Sequence, residues 1–153
     1  MANTIFVDLQ GFKFNSNDFI AKEIAVVFNS KQYINFIIKS PFSLKSLTPQ
    51  KQKQAKWLTK YFHHINWNDG FISFKSVCRF LKSNLKYSNI YVKGVEKKKW
   101  LENILKQKVF NIEDFGCINF RQLEMKYPNT LHCTYHQYGV CALRDALLRK
   151  TYF

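Results

Sequence analysis

Acid is what this chain has least of: ten Asp and Glu stand against 24 Lys and Arg over 153 residues, a formal charge of +14. A surface of that sign repels basic partners and favours phosphates, whether in nucleic acid or on an anionic membrane. Arginine is scarce as well, four residues against 20 lysines. Lysine meets phosphate as a point charge, whereas base edges are read mainly by arginine, so weakly sequence-specific binding is expected. Three Pro and five Gly are scattered, which excludes a Pro/Gly-rich linker, and no repeat or low-complexity segment occurs. No apolar run approaches the roughly 18 residues of a membrane-spanning helix, and Met1-Ala2-Asn3 does not open a signal peptide. A soluble intracellular protein of cytoplasm or nucleus, with no membrane partner, is therefore expected. The four cysteines (78, 117, 133 and 141) read, in a reducing compartment, as thiols or ligands rather than disulfides.

What is abundant is apolar. Hydrophobic residues make up 46% of the chain and aromatics 17%, with 15 Phe and 8 Tyr, enough for a sizeable core and incompatible with a disordered tail. Length and composition indicate one domain over residues 1–153. The surplus of Lys together with Asn, Ile, Phe and Tyr is also what AT-rich coding produces, so charge alone does not establish binding.

Thr4–Leu9 reads as a strand, with a turn at Gln10-Gly11-Phe12. Phe19–Phe28 reads as a longer strand and Tyr33–Lys39 as a third, after a turn at Asn29-Ser30-Lys31, which implies an antiparallel meander. Thr48-Pro49 then caps a helix with Ala55, Leu58, Phe62 and Ile65 at helical spacing. After a turn at Asn68-Asp69-Gly70, Ser73 caps a second helix carrying Phe74, Val77, Leu81 and Leu85. Asn89–Lys93 is a fourth strand, ended by Gly94. A helix from about Lys97 carries Trp100, Leu101, Ile104 and Leu105, Val109–Ile112 is a short fifth strand, and a last helix runs from about Val140 to Lys150. A strand–helix–strand unit added to a meander gives an α/β fold: a mixed sheet flanked by helices, the layout of the ribonuclease H-like fold.

Three metal-binding residues, two Cys and one His, fall within nine positions at Cys133, His136 and Cys141. Zn²⁺ takes four such ligands in a tetrahedron, so a fourth must come from elsewhere. Strand alternation puts Glu23 on the face of Phe19, Ala21, Ala25 and Val27, where a carboxylate is costly unless paired or metal-bound. An edge strand or a solvent gap accounts for it equally, and Cys117 and His132 are reserve ligands. Buried core thiols are the bland alternative for the cysteines. A second constellation is acidic: Asp8 at the end of the first strand, Glu96 after the fourth, and Asp145 in the last helix. Carboxylates so placed suit two Mg²⁺ or Mn²⁺ ions in phosphate hydrolysis. Lys93, Lys97, Lys98 and Lys99, with Lys22, offer phosphate contacts, and Trp57, Tyr61, Trp67 and Trp100 offer stacking faces. A core role for Trp57 and Trp100 and a solvated first helical turn for the lysines are the simpler reading of each. Adjacent His63 and His64 point apart on a helix and make no joint site.

The segments FVDLQGF and FIAKEIAVV, and the late Cys-x₂-His…Cys leading into ALRDALL, resemble the DnaQ-like (DEDDh) exonuclease branch of the ribonuclease H fold, and within it the Maelstrom domain. That resemblance implies a structural zinc on Glu23, Cys133, His136 and Cys141 in place of the exonuclease carboxylates. The segments Trp67–Gly70 and Tyr91–Lys97 are also similar to small insect proteins, with mobile-element or viral descent left open, a likeness that implies no activity. The exonuclease motifs are eroded. Asp-x-Glu reads Asp8-Leu9-Gln10, the second Asp is missing unless Glu96 stands in, and Tyr138–Cys141 lacks the His expected ahead of Asp145. An amide is a poor Mg²⁺ ligand. The expectation is a zinc-stapled, non-catalytic module binding RNA or single strands. Its rivals are a 3′–5′ nuclease using Asp8, Glu96 and Asp145, and a protein-interaction adaptor.

Overall fold

The computed structural model describes residues 3–15, 17–29, 31–116, 119–128 and 141–152, apart from the side chains of Phe120 and Tyr152. Strands β1 (Thr4–Asn15), β2 (Asp18–Val27), β3 (Tyr33–Ile37), β4 (Asn89–Val92) and β5 (Phe110–Asn111) form one sheet in the order β3-β2-β1-β4-β5. β2 runs antiparallel to both its neighbours, while β1, β4 and β5 are mutually parallel. The fold is thus α/β, with a five-stranded mixed sheet flanked by helices, as the order of sequence elements implies.

The helices are α1 (Pro49–Leu58), α2 (Phe74–Asn84), α3 (Val95–Leu105), α4 (Phe120–Lys126) and α5 (Ala142–Tyr152). The Thr48 and Ser73 hydroxyls accept from Lys51 and Ser76 amides, closing the first turns of α1 and α2 as their sequences indicate. A π-helical turn, Thr59–His63, extends α1 and ends at His64 in left-handed backbone, φ 58°.

One face of the sheet packs Ile5, Val7, Leu9, Ile24 and Val26 against Val77 and Leu81 of α2, Leu85 just past its end, and Leu101 of α3. The other packs Phe6, Ala25 and Val27 against Ala142, Leu143, Ala146 and Leu147 of α5. A third group, Phe12, Ala55 and Trp67, seats α1 against the far end of the β1–β2 hairpin. Among the described residues no helix is long and apolar enough to cross a membrane.

The expected turn at Gln10–Phe12 does not exist: β1 continues through it to Asn15. Gly11 is there because β2 comes too close for a side chain, since a Cβ would stand 2.0 Å from the Ile20 carbonyl oxygen. The register slips at this point, from Gln10 opposite Glu23 to Gly11 opposite Ala21, leaving Lys22 as the extra residue of a β-bulge. The bulge also breaks the expected alternation. Ala21 joins Ile24 and Val26, with Phe19 against them, on the sheet face opposite Ala25 and Val27. Lys22 turns inward, fully buried, and its amine donates to Ser40 Oγ and Trp67 O at 3.0 Å and to Asp69 O. Burial pulls its pKa down to about 8 against the opposing pull of Asp69. Lys22 is therefore a strut holding the 67–69 loop and not part of a basic surface. Trp67 is likewise core, its indole N–H donating to Phe42 O at 2.8 Å.

Candidate functional site

Under α5 the sheet is polar. Up to the bulge, even-numbered residues of β1 face the helix, placing Asp8 and Gln10 beside Phe6. β2 adds Glu23 opposite Gln10, and β3 adds Asn35 opposite Ala25. Helix α5 sets Asp145 and Arg149 one turn apart, and every residue from Cys141 to Arg149 is buried. Three of the chain's ten acids, Asp8, Glu23 and Asp145, are thus buried beneath one helix, along with two of its four arginines, Arg144 and Arg149. Charges rarely go inside without partners, so the pairing matters.

Asp8 is the centre of the arrangement. Its Oδ1 accepts from Lys97 Nζ at 2.6 Å and lies 3.3 Å from Arg149 Nη1. Arg149 Nη2 is 3.7 Å from Asp145 Oδ2, so the one guanidinium faces both carboxyls. Burial works to raise the pKa of Asp8, but the charges of Lys97 and Arg149 outweigh it and hold the group below the usual carboxylate range. Asp145 goes the other way. Burial and then the negative charge of Asp8 push it well above its ordinary value, with Arg149 only partly compensating. Two carboxyls this close do not both ionise. The opposed shifts favour the proton on Asp145 and the negative charge on Asp8.

Glu96 is not part of this pair. It lies at the surface, 61% exposed, bonded to Lys13. Its neighbour Lys97 reaches Asp8 instead, because α3 begins at Val95, two residues ahead of its expected start. Among the expected phosphate-binding lysines, Lys97 is committed to Asp8 and Lys98 pairs with Glu102 at 2.9 Å. Lys99 is exposed and Lys93 half-buried.

Glu23 lies on the same sheet face. It is fully buried, its Oε1 accepting from the Ala142 amide at 2.6 Å and its Oε2 from Asn35 Nδ2 at 3.2 Å. A carboxylate at the first turn of a helix is stabilised by the unpaired amides and the dipole there. That bond brings Glu23 to the residue next to buried Cys141. Glu23 and Cys141 are thus the two members of the expected Glu23, Cys133, His136 and Cys141 set that lie among the described residues, both buried. Cys133 and His136, with the reserve ligands Cys117 and His132, lie outside the described residues. Among the described residues no group of three or more His, Cys, Asp or Glu is placed to hold a metal.

The residue that sequence reasoning missed is Arg149. Its signal was the spacing Asp145-x₃-Arg149, one helical turn, in a chain nearly devoid of arginine. A cavity of about 380 Å³ opens elsewhere, and among the described residues Thr4, Phe6, Tyr91, Phe115 and Lys150 line it, none of them an expected site residue. No family model matches the chain, and no curated protein matches it.

Proposed function

We propose that this chain is a non-catalytic ribonuclease H-like domain of the DnaQ/Maelstrom kind that binds RNA or another single strand. The observation carrying the reading is Asp8, a buried carboxylate neutralised by Lys97 and Arg149, the protein's own cations standing where a nuclease would keep divalent metal. The strand order β3-β2-β1-β4-β5 with one antiparallel strand, and the meeting of Asp8 on β1 with Asp145 on the last helix, support the ribonuclease H-like assignment. The erosion of a two-metal site is consistent in kind: an amide at Gln10, a surface ion pair at Glu96, and an Asp145 whose pKa burial raises toward the neutral acid. The excess of positive charge supports a phosphate-bearing partner.

Zinc belongs to the same proposal. Held by Glu23, Cys133, His136 and Cys141, the ion would act as a structural cross-link between β2 and the start of α5, with no open position for water.

Fluorescence anisotropy with single-stranded RNA, alongside a cleavage assay with and without Mn²⁺, tests the function. Binding without cleavage is the expected result. Mn²⁺-dependent cleavage that disappears in Asp8→Asn would overturn the non-catalytic reading in favour of the nuclease. Elemental analysis tests the metal: one zinc per chain, lost in Cys133→Ser, is expected, and a zinc-free wild type removes the staple.

A further inference from the structure

We infer that the outer face of α1 and its π-helical extension is a stacking platform for a single nucleic-acid strand. The inference rests on the proposed function and supplies its surface, at a place other than the lysines of α3.

The platform lies within a stretch of unusual charge. From Ile24 to Asn68 there is no Asp or Glu, while seven lysines occur, at 31, 39, 45, 51, 53, 56 and 60. Lys51 reaches out of the stretch to Asp18 at 2.7 Å. Lys53, Lys56 and Lys60 are exposed and make no ion pair among the described residues. Between them stand two aromatic rings. Trp57 is 56% exposed and Tyr61 60%, one turn apart, with centroids 5.8 Å apart and planes at 48°. Lys60 Nζ sits 5.0 Å from the Tyr61 ring centroid.

Large aromatic rings left side by side in water mark a contact surface. These two are flanked by cations that have no ion pair among the described residues and lie in a stretch of sequence without acid, which fits a polyanion bearing flat rings and no basic or neutral apolar partner. The backing is rigid. Beneath the platform Ala55, His63, Ile65 and Trp67 are buried, His63 packs edge-on to Phe12 at 4.9 Å, and Thr59 Oγ1 donates to Ile65 O at 2.8 Å. The rings are therefore presented on a fixed frame, with little order to be gained on binding. Stacking needs bases free of a duplex, so the ligand is single-stranded and its sequence matters little.

Trp57 supplies its own reporter, because Trp67 is core and Trp100 is packed against Phe19 and Phe74. A uridine oligonucleotide, single or annealed to its complement, is titrated into the protein while tryptophan fluorescence and anisotropy are read together. The single strand is expected to quench the emission, and the duplex is not. Trp57→Phe should abolish the quenching while affinity stays within about threefold, since Phe keeps a stacking face. Trp57→Ala with Tyr61→Ala should lower affinity about tenfold or more, with unchanged melting temperature because both rings are at the surface. Wild-type affinity in that double variant would overturn the platform and leave the proposed function standing. A wild type that binds no strand would overturn both.

Discussion

Asp145 separates the two chemistries open to the carboxyl pair. Its folded pKa lies above the ordinary 3.8, so the stability its acid form contributes is fully present below pH 3.8 and is lost as pH rises through the folded value. Asp8, whose pKa is lowered, contributes stability above pH 3.8 that is lost as pH falls through its folded value. The opposite signs predict opposite mutants. In Asp145→Asn the amide cannot ionise and escapes the cost of a second negative charge buried beside Asp8, so the melting temperature at pH 7 should rise, the gain shrinking toward pH 4. Asp8→Asn removes the anion between Arg149 and Lys97 and should cost about 3–5 kcal/mol, read by urea denaturation at pH 7. A loss of stability in Asp145→Asn at pH 7 would mean that both carboxylates are ionised there, as a metal site requires.

Among the elements, what could be read in the sequence was whatever has a local cause. Caps at Thr48 and Ser73, the helical spacing of α2 and the change of period after β3 depend on near neighbours. Gly11 was misread because a glycine in a β-rich run signals either a turn or a close approach, and only the partner strand decides. The approach of Ile20 to Gly11 is a tertiary fact. The face of Glu23 was right and that of Ala21 wrong for the same reason, the bulge standing between them. Helix α4 also has a local cause: Asn119 and Gln122 form a capping box, spaced N-x-x-Q. The pairing of Lys97 and Arg149 with Asp8 joins three distant segments and left no trace in local pattern. The bulge makes its own prediction. Gly11→Ala forces a Cβ against the Ile20 carbonyl and should cost about 1–3 kcal/mol, and by straightening the hairpin it should loosen Lys22 from Trp67 and Asp69. Faster amide exchange at Asp69–Phe71 than at α2 would report it, whereas wild-type stability would mean that the two strands separate without cost.

For the molecule as a whole the question is whether a charge of +14 is a binding surface or a bias of composition, and salt answers it. Each lysine that neutralises a phosphate of a single strand releases counterion, giving about −0.7 in the slope of log affinity against log salt. The distribution of pairing says which lysines those are. On α3, Lys97 and Lys98 already hold acids of the protein, so Lys98→Gln should leave the slope unchanged. On α1 and its extension, Lys53, Lys56 and Lys60 have no such partner among the described residues, and replacing all three by Gln should flatten the slope by about 2. A charge that merely reflects composition has no such address: equal, small effects from both helices, or binding that ignores salt, would put the lysines down to codon usage and favour a protein partner for the exposed rings. Unequal effects in the stated order would show that the acid-free stretch between Ile24 and Asn68 is where the chain meets a strand.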